Sequence, residues 1–207
     1  MGALILPSNQ SALVEKLRYL QNAIGAIPSA YDCWLAQRGA KTLHLRMKQH
    51  GLNALAVARA LQDSPDVEEV MYPGLPGKTD ISKRRHQLAW NALSPHARRF
   101  IPHGDLSIPP SNGFPFSGMI SFRIRGGFLE ADKFLTSTRL FTLAESLGGV
   151  ESLAEHPARM THGSIPEEER EILGIGENLI RLSVGVEEEE DLVEDVMQAV
   201  RAATSGL

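Results

Sequence analysis

The stretch that decides the fold and the site is RLFTLAESLGGVESLAEHPARMTH, residues 139–162. Within it, the apolar run 140–144 predicts a strand that ends at Glu145 and Ser146, and the glycine pair 148–149 predicts a sharp turn just beyond them. A carboxylate, a hydroxyl group and exposed backbone amides at a strand end are typical of a small-molecule site. An ordinary strand followed by a Gly-Gly turn explains the same pattern, so this stretch alone leaves both interpretations open.

Composition indicates a globular chain of one large or two small domains. The 207 residues are 43% hydrophobic, which is enough to bury a sizeable core. The formal net charge of -4 and the pI of about 6.0 argue against a nucleic-acid partner, because such surfaces are normally basic. We interpret the basic cluster at 83–85 as a solvated helix face. No apolar run approaches the roughly 20 residues needed to cross a bilayer, so we expect no membrane association.

The cysteine and histidine content predicts neither disulfides nor a metal site. Cys33 is the single cysteine, which favours a reducing compartment, and we predict a cytoplasmic protein. Its neighbours in a predicted helix suggest that Cys33 is a buried small hydrophobic residue. The seven histidines lack the close spacing of a metal site, so we expect no metal.

Hydrophobic periodicity predicts helices alternating with short strands. The predicted helices cover 10–24, 32–61, 80–91, 129–137, a short segment after a capping box at 164–167, and 188–203. We expect 32–61, capped by Asp32, to be one continuous helix that links two lobes. The acidic residues at the start of the last helix are interpreted as a cap and a solvated face.

The predicted strands make a sheet in the second lobe. They cover 67–72, 117–124, 139–144 and 178–185, and a long surface loop is expected over 102–116, the Pro- and Gly-rich part of a loop at 94–116. The opening apolar run, residues 1–7, predicts a strand buried on both faces, so the chain looks as if it begins in the middle of a domain. Four strands interleaved with helices predict an α+β lobe with a roughly four-stranded mixed or antiparallel sheet.

Arg181 is a further candidate site residue. It lies within the apolar strand NLIRLSVG, residues 178–185, where a charge is costly without a partner. The planar guanidinium binds a carboxylate through two hydrogen bonds, so the carboxylate of a small molecule is one candidate partner. An internal ion pair with one of the glutamates is the other.

Several long phrases resemble the Cys/Met-metabolism family of pyridoxal-phosphate enzymes, which includes the trans-sulfuration enzymes. They are LQNAIGAIPSAYDCWLAQRGAKTLHLRM at 20–47, VMYPGLP at 70–76, SGMISFRI at 117–124, LFTLAESLGGVESLAEHPARMTH at 140–162 and LIRLSVGVEEEEDLVEDV at 179–196. They occur in family order and cover nearly the whole chain.

The resemblance implies an α/β chain of the pyridoxal-phosphate fold type I, C-terminal part. Residues 1–50 would be the end of the large cofactor domain with its linking helix, and 51–207 would be the small, substrate-binding α+β domain. It also implies a homo-oligomer, of the tetramer type that the family builds from dimers, or association with a full-length subunit.

The resemblance also implies a carbon–sulfur lyase with pyridoxal 5'-phosphate as its cofactor. Its amino-acid substrate would be cystathionine, split into cysteine, 2-oxobutanoate and ammonia, with γ-synthase and β-lyase relatives as alternatives. In the family, the arginine at Arg181 holds the substrate α-carboxylate and the serine at Ser146 supports it. Glu145 and the Leu147 backbone line the same pocket, and Thr161 is a supporting contact.

One departure from the family pattern bears on catalysis. The family's cofactor lysine lies in a Ser-x-x-Lys motif upstream of the opening apolar strand. None of the six lysines here has that context: Lys16, Lys41, Lys48, Lys78, Lys83 and Lys133. We therefore expect no catalytic residue and no cofactor-binding residue in this chain, and little activity from it alone. A shortened gene model, a split gene or a fragment would explain the pattern, and a non-catalytic partner or an isolated amino-acid-binding domain are the rival hypotheses.

Overall fold

The fold was determined from a computed structural model, which describes residues 2–77, 79–101, 105 and 107–207. The chain divides into two compact units, residues 1–44 and residues 45–207. Among the described residues, no helix is both long enough and apolar enough to cross a membrane.

The first unit consists mainly of two helices, α1 (Ser11–Ile24) and α2 (Ala30–Lys41). Helix α1 ends at Gly25, which adopts the left-handed conformation that favours glycine. Residues 2–7 form no strand, so the predicted opening strand is wrong for these residues. The reason is that a strand needs a hydrogen-bonded neighbour, and none of the strands described here pairs with this segment.

The long helix predicted over 32–61 is instead two helices. Helix α2 ends at Lys41, and α3 (Leu43–Asp63) follows after a break at Thr42. The predicted cap is also different: Ser29 begins α2, and its side chain accepts a hydrogen bond from the Asp32 amide. Cys33 is exposed, contrary to the prediction that it is buried, because no residue of α2 is buried.

The second unit contains a five-stranded mixed sheet. Its strands are β1 (Val67–Met71), β2 (Met119–Ile124), β3 (Thr142–Leu143), β4 (Leu153–Glu155) and β5 (Leu179–Ser183), in the spatial order β1-β2-β5-β4-β3. The β3–β4 pair is parallel and the other three pairs are antiparallel. The mixed sheet is confirmed, with one more strand than predicted: β4, which has only three residues.

Helices cover one face of this sheet and form the core. The helices of the second unit, besides α3, are α4 (Asp80–Ala92), α5 (Pro95–Phe100), α6 (Phe128–Ser137), α7 (Glu167–Ile172) and α8 (Glu189–Thr204). On β2, Ile120, Phe122 and Ile124 are fully buried because side chains alternate between the two faces of a strand. They pack in one cluster with apolar residues of α3, α6 and α8.

The predicted surface loop at 94–116 contains a helix and a buried residue. Helix α5 begins after Ser94, whose side chain accepts a hydrogen bond from the Ala97 amide. Phe114 is fully buried and packs edge-on against Trp90 of α4, with 5.0 Å between the ring centroids. The segment is therefore tied to the second unit by a small aromatic cluster of its own.

Tyr72, directly after β1, fixes the other end of this segment. Its hydroxyl group accepts a hydrogen bond from the Phe116 amide at 2.9 Å and faces the carbonyl oxygens of Ser117 and Gly51 at 3.2 and 3.3 Å. Burial raises the pKa of the Tyr72 phenol to about 12.

The acidic start of the closing helix α8 is a solvated face, but it makes no side-chain cap, contrary to the prediction. Glu188 to Asp191 are exposed, as predicted, but Asp195 is buried. The Asp195 carboxylate accepts hydrogen bonds from the amides of Arg139, Leu140 and Phe141 at 2.8–3.3 Å. It therefore holds the start of the segment that leads into β3. At α7, Pro166 begins the helix without a side-chain cap, so the predicted capping box at 164–167 is wrong.

Candidate functional site

The candidate site lies on the sheet face opposite the helix-packed core. Strand pairing places Ser121 of β2, Arg181 of β5 and Glu155 of β4 in one row, because Arg181 is the register partner of both. The neighbouring residues of β5, Ile180 and Leu182, point into the core and are fully buried. Alternation along β5 therefore places the guanidinium on the outer face of the sheet, near the ends of β3 and β4.

Arg181 has an internal ion-pair partner. Its Nη2 lies 2.9 Å from Glu155 Oε2, and its side chain is 20% exposed whereas that of Glu155 is 1% exposed. The same Nη2 donates a hydrogen bond to the backbone carbonyl of Glu145 at 2.9 Å. The internal partner proposed from the sequence is thus present, and the guanidinium still reaches solvent.

Thr161 contacts the arginine indirectly, through Glu155. Its hydroxyl group donates a hydrogen bond to Glu155 Oε1 at 3.0 Å and lies 2.8 Å from His162 Nδ1. Because the single hydroxyl proton goes to the carboxylate, the Thr161 oxygen accepts from the His162 ring nitrogen. A continuous chain of polar contacts thus runs from the half-buried His162 side chain to Arg181.

The predicted residues of the ESLGG turn lie beside Arg181. Glu145 contacts it through the backbone carbonyl, while the side chains of Glu145, Ser146 and Leu147 are exposed. Gly148 follows with a φ of 75°, a left-handed conformation that favours glycine. Its amide donates a hydrogen bond to Ser183 Oγ on β5 at 2.8 Å. The structure thus brings Glu145, Thr161 and Arg181 into one contact network, with Ser146 next to it in the chain.

Glu187 and Asn53 hold together the segments that follow the ESLGG turn and strand β5. The sequence motifs did not indicate either residue. Glu187 accepts hydrogen bonds from both the amide and the hydroxyl group of Ser152, at 2.7 and 2.9 Å. Asn53 of α3 donates to the carbonyl oxygens of Gly185 and Glu187. A side chain at Gly185 would collide with the Val150 carbonyl oxygen, so only glycine lets the two segments approach this closely. A glycine directly after the predicted strand is the sequence signal from which this close approach could have been predicted.

The lysines in the described part of the chain lie mostly at the protein surface. A lysine that binds this cofactor covalently is desolvated in a pocket. The described lysines, however, are exposed except Lys48, which is half-buried and lies over the Phe100 ring at 4.7 Å. Lys78 lies outside the described residues.

No group of three metal-binding side chains occurs among the residues that the structure describes.

The model of the Cys/Met metabolism PLP-dependent enzyme family matches residues 1–94 and 108–201, so the chain belongs to this family. Its fold is the C-terminal part of the pyridoxal-phosphate fold type I, with an α+β lobe. Members of the family act on small-molecule amino acids.

Cystathionine γ-lyases are among the similar proteins. The chain is 47% identical to that of Bos taurus over 195 residues, which is 94% of this chain and 42% of the relative. It is 48% identical to that of Saccharomyces cerevisiae over 202 residues, 97% of this chain and 45% of the relative. The crystal structure of the yeast cystathionine γ-lyase superposes with a TM-score of 0.75 at 48% identity, covering 95% of this chain and 44% of that one. The chain therefore spans less than half the length of these relatives.

Proposed function

We propose that this chain is the substrate-recognition part of a carbon–sulfur lyase that splits cystathionine into cysteine, 2-oxobutanoate and ammonia. The observation that carries the proposal is Arg181, a partly exposed guanidinium on the outer face of the sheet beside the ESLGG turn. The similarity of the chain to cystathionine γ-lyases supports the choice of cystathionine as the substrate.

In this proposal Arg181 holds the α-carboxylate of the substrate. A planar guanidinium is suited to a carboxylate because two parallel N–H groups match two oxygens. Ser146 supports the same carboxylate from the adjacent turn, and Glu145 and the Leu147 backbone border the substrate side chain. Thr161 supports Arg181 indirectly, because it donates a hydrogen bond to Glu155, the ion-pair partner of Arg181.

Pyridoxal phosphate supplies the electron-withdrawing chemistry of this family, and we assign no step of it to the residues described here. Fixing the carboxylate restricts how the Cα substituents can point, so the chain's own contribution to catalysis is orientation.

We further propose that residues 1–50 are the end of the large cofactor domain and 51–207 the small substrate domain. The division into compact units at residue 44 is compatible with two domains. We propose a cytoplasmic location, supported by the single cysteine. A γ-synthase or β-lyase specificity is the alternative within the family, because the residues around Glu145 border the part of the substrate in which these reactions differ.

A non-catalytic role as an assembly or regulatory partner is favoured by a different observation. None of the described residues 2–44 is buried, and this unit exposes large apolar side chains, including Ile24, Ile27, Tyr31 and Trp34. A surface of this kind is typical of a protein interface. We propose that it is covered in a homo-oligomer or by a full-length subunit.

The test is to add pyridoxal phosphate to the purified 207-residue chain, reduce with borohydride and map any labelled lysine by mass spectrometry. We expect no stoichiometric label at a single lysine and no cystathionine turnover. Labelling of one lysine together with turnover would show that the chain is catalytically complete. Stable co-purification with a co-expressed full-length subunit would favour the assembly role.

A further inference from the structure

We propose that Glu155 is a positioning residue, which holds the Arg181 guanidinium in the orientation that receives a substrate carboxylate. The proposal rests on the proposed function of Arg181 and adds a buried residue that contacts Arg181 without contacting the substrate. Glu155 is not in direct reach of a ligand, because its side chain is only 1% exposed.

The placement of Glu155 is costly unless it has a specific task. A carboxylate buried to this extent loses its hydration, and only a partner charge or hydrogen bonds compensate for the loss. The preceding residues of β4, Leu153 and Ala154, are buried apolar residues, so the strand needs no charge at its end to pack. In the register of the sheet, Glu155 stands directly opposite Arg181, where opposite charges attract.

The two carboxylate oxygens of Glu155 have different partners. Oε1 accepts the hydrogen bond from Thr161, which fixes the orientation of the carboxylate plane. Oε2 is buried and has no hydrogen bond within the described part of the chain, and its close contact is the ionic one with Arg181 Nη2 at 2.9 Å. The Thr161 contact at Oε1 therefore leaves Oε2 facing the guanidinium.

The contacts of Arg181 leave part of the guanidinium available. Nη2 is held by Glu155 and by the Glu145 carbonyl. Nε and Nη1 have neither a hydrogen bond nor an ion pair within the residues that the structure describes. The Arg181 guanidinium is thus held at Nη2, while Nε and Nη1 remain available. This arrangement fixes the orientation of the guanidinium before a substrate carboxylate binds.

Removal of the Glu155 charge has two opposing effects. It takes away a negative charge that competes with the ligand for Arg181, but it also frees a long side chain that must then be ordered when the ligand binds. We infer that the second effect dominates, because Glu155 lies on the buried side of the guanidinium and does not occupy the open nitrogens.

The experiment compares Glu155→Gln with Glu69→Gln in the full 207-residue chain. Glu69 pairs with Arg123 on β2 at 3.2 Å, so it belongs to a cross-strand ion pair on the same sheet away from the site, with a side chain that is 52% exposed. The guanidinium resonances of Arg181, assigned with Arg181→Lys, are followed by NMR, and the affinity for L-cystathionine is measured by calorimetric titration. We expect Glu155→Gln to give averaged, mobile Arg181 resonances and about tenfold weaker binding. Glu69→Gln should change neither.

Thr161→Val is the second variant, since its exposed side chain can be replaced without disturbing the core. It should weaken L-cystathionine binding in the same direction, by about threefold, because the Glu155 carboxylate is then free to rotate. Unchanged affinity in both Glu155→Gln and Thr161→Val, or Arg181 resonances that stay ordered in Glu155→Gln, would overturn the proposal. If the unaltered chain bound no L-cystathionine, the proposed function would fail, and the Arg181 resonances would still decide the positioning role of Glu155.

Discussion

The two compact units differ in whether their apolar side chains are buried. In residues 45–207, the sheet and helices α3, α6 and α8 enclose a core in which Phe122, Phe134 and Leu182 are fully buried. In residues 2–44, no described side chain is buried, although helix α1 carries an apolar stripe and Trp34 is 55% exposed. The second unit therefore has its own source of stability, whereas the first leaves its apolar side chains exposed.

This difference also locates the candidate site. Arg181, Glu155 and the ESLGG turn all belong to the unit that has a core. Arg181 and Glu155 lie on strands β5 and β4, and the turn lies between β3 and β4. A binding residue on a packed strand is held more accurately than one on a loop. Changes in the second unit should thus affect both folding and the site, and changes in the first should affect association.

The largest expected effect is on the core of the second unit. Phe122→Ala removes a fully buried ring that packs edge-on against Phe134 at 5.3 Å, and it should lower the free energy of unfolding by about 4 kcal/mol. Trp34→Ala, in the first unit, should change it by less than about 0.5 kcal/mol because Trp34 is an exposed surface residue. Denaturant titration of both variants measures the difference. A similar loss of unfolding free energy in the two variants would contradict the view that only the second unit has a buried core.

The second effect is a loss of stability in alkali that depends on Tyr72. The pKa of Tyr72 is about 12 in the folded protein, against about 10 in the unfolded chain. As the pH rises from 10 to 12, the unfolded state loses its proton first, so the free energy of unfolding should fall by about 3 kcal/mol from this group. Tyr72→Phe should flatten that part of the pH profile. Parallel profiles for the two proteins would show that Tyr72 does not cause the loss.

The third effect concerns Asp195, which joins α8 to the segment before β3. Asp195→Asn replaces an acceptor for three backbone amides with a group that accepts at only one atom, so we expect a loss of about 2 kcal/mol in unfolding free energy. Glu194→Gln is the control, since Glu194 is exposed on the same helix and should have an effect near zero. Equal stability of the two variants would mean that the buried carboxylate does not hold the segment.

Much of the fold could be predicted from the sequence because its strands and helices have regular apolar spacing. Strands β2 and β5 were predicted within a few residues, and α8 was predicted with its exposed acidic start. Strand β4 was missed because three residues are too few to show a period, and α5 was missed although Ser94-Pro95 is a typical helix start.

The candidate site was predictable in its residue types but not in its contacts. Arg181 was identified as a charge that needs a carboxylate, and the structure supplies Glu155 as an internal partner. The sequence could not single out Glu155 among the glutamates, because cross-strand register depends on the missed strand β4. The role of Asp195 could not be predicted for a related reason: it lies next to an exposed acidic residue, and only the packing of α8 shows that it faces inward.

The central claim is that Arg181 binds the α-carboxylate of an amino-acid substrate. Calorimetric titration of L-cystathionine into the unaltered chain, Arg181→Lys and Arg123→Lys tests it most directly. Arg123 is the matched control because it lies on the neighbouring strand, pairs with Glu69 and has a side chain exposed to 23%, close to the 20% of Arg181. We predict that Arg181→Lys weakens binding at least about tenfold, since lysine lacks the planar fork, and that Arg123→Lys binds like the unaltered chain. Equal affinities in all three proteins would contradict the claim.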